Sequence, residues 1–130
     1  MRRDFSLPEE DTDFLTNLSL QWEAVRNGGD WVIIHNYPVP PGYNTNTVTA
    51  ALKIDAGYPV SQIDMVYFYP HLQLTSTKTI GALAATPIDG KSYQRWSRHR
   101  TGENPWRPGL DNISTHIQMI NFWLERELIK

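Results

Sequence analysis

The chain has 130 residues, a formal net charge of -2 and no cysteine. That length suits one domain over residues 1–130 with its own hydrophobic core. The missing thiol excludes a disulfide scaffold, a thiolate zinc site and a cysteine nucleophile.

The first element in chain order is a short helix in "LPEEDTDFLTNL". Pro8 suits a first helical turn, and Glu9, Glu10 and Asp11 complement the positive end of the helix dipole. Phe14, Leu15 and Leu18 supply an apolar face. Strand chemistry follows. Asn27-Gly28-Gly29-Asp30 is a hairpin turn between strands at Trp22–Val25 and Trp31–Tyr37. Pro40-Pro41-Gly42 punctuates the next connection. The third strand alternates, with Val48, Ala50, Leu52 and Ile54 on one side and Thr47, Thr49 and Lys53 on the other, so one face is buried. A fourth strand runs from Met65 to Tyr69. The stretch from His71 to about Gly90 reads as a long irregular flap. A short strand over Tyr93–Trp96 and a closing helix in "LDNISTHIQMINFWLEREL" complete the chain. In that helix Asp111 is the expected N-cap, and Ile113, Ile117, Ile120, Leu124 and Leu128 form the apolar stripe. The predicted class is α+β: an N-terminal helix, a four-stranded antiparallel meander, a long flap loop and a C-terminal helix, the helices on one face.

No apolar run approaches the ~18 residues of a membrane helix. The opening "MRRDFSLPEEDTDF" has no apolar segment after its arginines, so no secretory signal is expected and a cytoplasmic location is the default. Charge is uneven. Residues 1–60 hold four basic and eight acidic side chains, and residues 61–130 hold eight and six. The basic excess gathers in "KSYQRWSRHRTGENPWRPG", with Arg95, Arg98, Arg100 and Arg107 beside Trp96, His99 and Trp106. An RNA surface with stacking tryptophans is one reading of such a cluster, but the negative net charge argues against nucleic acid. No histidine pair shows metal-ligand spacing and no glycine-rich phosphate loop is present, so neither metal nor cofactor is expected. His35 reads as a strand residue near solvent and His116 as a packing residue at the helix boundary. Trp106 is expected to anchor the core between the loop and the closing helix.

The order of elements resembles the ubiquitin-conjugating (UBC, E2-like) superfamily. "GYPVSQIDMVYFYP" lies where that superfamily has a Tyr-Pro turn before the last meander strand. Tyr58-Pro59 is kept, and the prolines that usually follow are not. "WRP" at Trp106–Pro108 resembles the superfamily's Trp-Ser-Pro ahead of its post-catalytic helix. In combination, "LPEEDTDFL", "PVPPGYN", "QRWSRH" and "WRPGLD" are similar to the bacterial subgroup called prokaryotic E2 family E. That likeness implies partners: a ubiquitin-like or multi-ubiquitin-like protein, a ThiF-type activating enzyme, and a JAB-type metalloprotease encoded nearby.

Active superfamily members hold a cysteine shortly before Trp-Ser-Pro, and this chain has Trp96-Ser97-Arg98-His99-Arg100 there. They also carry His-Pro-Asn, and this chain has Tyr69-Pro70-His71-Leu72. A thioester mechanism needs a thiolate, so ordinary ubiquitin-like transfer is not open to this chain. The resemblance therefore implies a non-thioester binding or adaptor component. Arg95, Arg98, His99, Arg100 and His71 are then the candidate partner-binding residues. A second reading keeps chemistry at His99 as base or nucleophile, oriented by Asp89, Glu103 or Asp111. A third takes Ser97 as a stand-in for the cysteine of an active conjugating enzyme. In a fourth, the segment only packs the core. Strand alternation places Trp96 and Arg98 on one side, Ser97 and His99 on the other.

Overall fold

The alternation of residues 47–54 is realised on one side, whereas the other side is also buried at Ala51. Val48, Ala50, Leu52 and Ile54 are buried, whereas Thr47 and Lys53 are exposed. The computed structural model describes residues 1–130. Its elements are α1 (Glu9–Asn17), β1 (Trp22–Arg26), β2 (Asp30–Pro38), β3 (Thr47–Ile54), β4 (Val66–Tyr69), β5 (Leu83–Ile88), β6 (Lys91–Trp96) and α2 (Ile113–Leu128). The strands form one six-stranded antiparallel sheet in the order β1-β2-β3-β4-β6-β5. This is an α+β architecture consistent with the UBC-like fold.

The sheet extends beyond the four strands expected of the meander, through β6 to β5. The expected flap contains β5, which pairs with β6 across Asp89-Gly90. Both turn residues have positive φ, 49° and 79°, as a two-residue type I′ hairpin requires. β5 escapes a periodicity reading because "LAATPI" is an edge strand. Alanine packs little on a pleated surface, and Pro87 sits where no ladder hydrogen bond is needed. Only residues 71–82 remain as connection.

One face of the sheet carries both helices. Trp96 and Phe68, each fully buried, meet edge to face with ring centroids 5.2 Å apart. Ile113, Ile117, Ile120 and Leu124 of α2 close over them, and Leu15 of α1 joins the same cluster. Asn112, not Asp111, caps α2. Its side chain accepts from the Thr115 N–H and the Thr115 hydroxyl accepts from the Asn112 N–H, a reciprocal capping box. Asp111 is drawn away by Arg107 and Arg100. Pro8 likewise stands just before α1, as its N-cap, and not inside its first turn. Asp11, fully buried, receives the Tyr58 hydroxyl at 2.7 Å and the Ile113 N–H at 3.1 Å, fastening α1 to the start of α2. Burial pushes its carboxyl pKa upward.

The opposite face has no helix, yet it holds a second buried cluster: Val25, Trp31, Ile33, Ala51, Tyr67, Ile88 and Tyr93. Curvature explains it. Following the register from β1 to β5 places the β1–β2 turn and the β5–β6 turn at diagonally opposite corners. Asp89 of the second turn nevertheless accepts from Asn27 of the first at 3.3 Å and from Arg2 at 2.6 Å. The twist accumulated over six strands has brought the corners together. Arg2 also binds Glu23 at 2.9 Å, and Glu23 contacts His35. Arg2 and His35 hold the Glu23 carboxyl at a pKa of about 2, against the cost of its burial.

Candidate functional site

β6 ends at Trp96, and the chain continues as a strap over the end of the sheet. Its side chains leave in three directions, and each finds a partner. Arg98 lies over the Trp96 ring, with the guanidinium carbon 5.0 Å from the centroid, which fits the side expected from strand alternation. It donates to the Glu127 carboxylate of α2 at 2.9 Å and to the Gly81 carbonyl at 3.2 Å. Glu127 is buried, which works against its charge, but Lys130 and Arg98 outweigh that and its pKa lies below the usual range. His99 turns the other way. Its Nδ1 lies 2.9 Å and 3.0 Å from the two carboxylate oxygens of Asp64. Arg100 turns inward again. Its side chain is 6% exposed, its guanidinium is 3.4 Å from Asp111, and it lies over the Trp106 ring.

Asp64 is presented by a strained corner. Met65, the next residue, has φ of 60°, a left-handed conformation that costs a non-glycine residue of order 1–3 kcal/mol. Two hydrogen bonds hold it. The Met65 N–H donates to the Arg98 carbonyl at 3.2 Å, and its carbonyl accepts from His116 Nε2 at 2.8 Å. His116 is no boundary residue. It is 1% exposed, packed edge-on to Trp123, and burial lowers its pKa to about 4. It is a neutral imidazole fixing the corner that carries Asp64. The carboxylate that orients His99 is thus none of the three near it in sequence. Asp89 is engaged by Arg2, Asp111 by Arg100 and Arg107, and Glu103 is exposed.

The five residues marked as partner-binding do not form one surface. Arg98 and Arg100 are tied inward. Arg95 lies on the opposite face of the sheet from Trp96, between Tyr67 and Ala84. His71 contacts the Ser92 carbonyl at the far end of β6. His71 is exposed but lies away from the strap, and His99 stands out from the strap itself, its side chain 61% exposed, with Nε2 free of any protein partner. Ser97 donates its N–H to Ala82, but no hydrogen bond joins its hydroxyl to His99, so the two are not a nucleophile and its base. Trp106 packs against the main core from its rim and is not itself one of the fully buried residues. It is partly buried, donates Nε1–H to the Pro59 carbonyl at 3.0 Å and lies 6.2 Å from the Tyr58 ring. It ties the "WRP" segment to the Tyr-Pro turn.

Beside His99 opens a cleft of about 540 Å³, lined by Arg98, Glu103, Met119, Phe122, Arg126 and other residues of α2 and the strap. Phe122 is 54% exposed there. Sequence reading missed this wall because Met119, Phe122 and Arg126 lie off the buried stripe of α2. No three His, Asp or Glu side chains converge as metal ligands, and no helix is long and apolar enough to cross a membrane.

The sheet, the two helices on one face and the cysteine-free strap before "WRP" define an E2-like protein without a thiol. The family model "Prokaryotic E2 family E" matches residues 7–127, and the chain belongs to that family. Comparison with curated proteins and with solved structures gives no match.

Proposed function

We propose that this chain is a non-thioester component of a bacterial ubiquitin-like conjugation system, one that binds without forming a covalent intermediate. The observation that carries this reading is the strap. Where a thiol would be needed, the chain supplies Ser97 with no base and two arginines locked to Glu127 and Asp111. What remains open is His99 and the cleft beside it. Arg126 on the wall of that cleft suits the carboxylate of an extended tail, such as the C-terminus of a ubiquitin-like or multi-ubiquitin-like protein, and the free Nε2 of His99 suits a backbone N–H of the same tail. The ThiF-type activating enzyme is the partner expected to deliver that tail, with a JAB-type metalloprotease acting in the same system.

The test incubates the protein with these partners and ATP, then separates complexes under native and denaturing conditions. A native complex that disappears on denaturation is expected. His99→Ala should weaken it about tenfold and leave the melting midpoint nearly unchanged. A covalent adduct on this chain overturns the reading.

The Asp64–His99 pair favours one alternative. Asp64 fixes the Nδ1–H tautomer and leaves Nε2 as a base, able to take a proton from an amine or water attacking an acyl group held by a partner. Faster acyl loss from the charged activating enzyme, abolished equally by His99→Ala and Asp64→Asn, would select this reading over the adaptor.

A further inference from the structure

We infer that the outer edge of β5 receives an extended acidic peptide from a partner as a seventh strand. This does not depend on the His99 cleft. β5 pairs only with β6. The direction of its hydrogen bonds follows from the ladder. Ser97 donates to the Ala82 carbonyl at 3.0 Å, so Ala82, Ala84, Thr86 and Ile88 turn their polar groups toward β6. Leu83, Ala85 and Pro87 turn theirs outward. The edge thus offers the N–H groups of Leu83 and Ala85 and three carbonyls.

Edges of this kind are normally blunted by charged side chains, bulges or a covering segment. β5 carries no charged residue, and Leu83, Ala85 and Pro87 are exposed. Pro87 removes one donor at one end and leaves the rest open. Alanines at two adjacent positions let a second backbone approach closely. At the Leu83 end of the strand a groove of about 360 Å³ opens against residues 71–80, with a mixed lining that includes Leu72, Leu74, Gln73, Thr77 and Lys78. The apolar contact for an added strand on this face comes from the exposed side chains of Leu83, Ala85 and Pro87.

Charge selects the occupant. On the face that carries Ala84, Thr86 and Ile88, the β6 neighbours Arg95 and Lys91 are basic, and the one acidic residue of the β5–β6 hairpin is Asp89 in its turn. Asp89 is already neutralised by Arg2. Arg95 stands opposite Ala84, whose methyl cannot screen it, and its Nε is buried without a partner. A strand that adds to β5 therefore meets a basic face on the Ala84 side and the exposed apolar side chains of Leu83, Ala85 and Pro87 on the other. An alternating apolar and acidic segment matches both faces, because its side chains alternate with the same period.

The probe is an acetylated alternating Val-Glu octapeptide, with the Val-Lys octapeptide as its counterpart, titrated into the full chain with amide chemical shifts as readout. The acidic peptide should perturb the Leu83 and Ala85 amides first, and bind roughly tenfold more tightly than the basic one at low salt. Ala85→Pro removes an outward N–H and spares the β6 ladder, so the melting midpoint should hold and affinity fall about tenfold. Ala84→Glu, which sets a carboxylate opposite Arg95 and keeps every outward N–H, should abolish or invert the preference between the two peptides. Equal binding of both peptides, shifts confined to other regions, or unchanged affinity in both variants would overturn the inference. Concentration-dependent dimerisation abolished by Ala85→Pro would also overturn it, by showing that a second copy occupies the edge.

Discussion

The two faces of the sheet reach burial by different routes. One is covered by α1 and α2, whose apolar stripes supply the missing half of a core around Trp96. The other closes on itself, and Trp31 is only 5% exposed although no helix lies over it. The first route needs complementary sequence on another element. The second needs twist, a turn that reaches the far corner, and a charge to hold it there. Asp89 with Arg2 and Asn27 is that fastening.

Replacing the two tryptophans tests whether both faces are true cores. Trp96→Ala should cost about 3 to 5 kcal/mol, as expected for a large side chain removed from a packed interior. Trp31→Ala should cost nearly as much if the curled face is a core, its centroid being 5.1 Å from the Tyr67 ring. Denaturant titration of both variants decides this. A nearly neutral Trp31→Ala would break the comparison and make that face an ordinary surface.

Acid should act on the two faces in separate windows. His116, on the helix side, has its pKa lowered by burial to about 4 from 6.5. The unfolded chain takes up the proton first, so stability is fully present above pH 6.5 and is lost as pH falls toward 4. The linkage is worth roughly 3 kcal/mol. Glu23, on the curled side, is lowered to about 2 from 4.5, so its contribution is present above pH 4.5 and lost on descent toward 2. Melting midpoints measured from pH 8 to 3 should show the first loss above pH 4. His116→Gln should flatten that part of the profile only. An unchanged profile would mean that His116 is not held neutral.

Glu127→Gln should cost about 2 kcal/mol, because Arg98 and Lys130 lose their shared carboxylate and Arg98 is only 16% exposed. A smaller loss is expected from Asp89→Asn, about 1 kcal/mol, since its ion pair is partly open to solvent and screened by salt. Melting in low and high salt should show the Asp89 effect shrinking with ionic strength while the Glu127 effect persists. The reverse order would place the stronger fastening on the curled face.

Much of this arrangement was legible in the residues. The period of two in 47–54 marked the side of β3 that faces the helices, because alternating polarity records a buried face, but it did not show that Ala51 on the other side is buried too. The stripe of α2 was equally plain. The absence of cysteine settled what chemistry the strap lacks, since no fold can supply a missing thiol. Other features needed the tertiary structure. β5 has almost no side chain to pack, so its strand state comes from pairing with β6. Arg98 and Arg100 read as a free cationic surface, and only the chain's return as α2 brings Glu127 and Asp111 to them. Asp64 is 35 residues from His99 in sequence, and they meet because the Met65 corner is held by a strap carbonyl and a buried histidine. Sequence determines which groups can pair and which faces must be buried. Proximity between distant segments is decided by packing and twist, which no local pattern records.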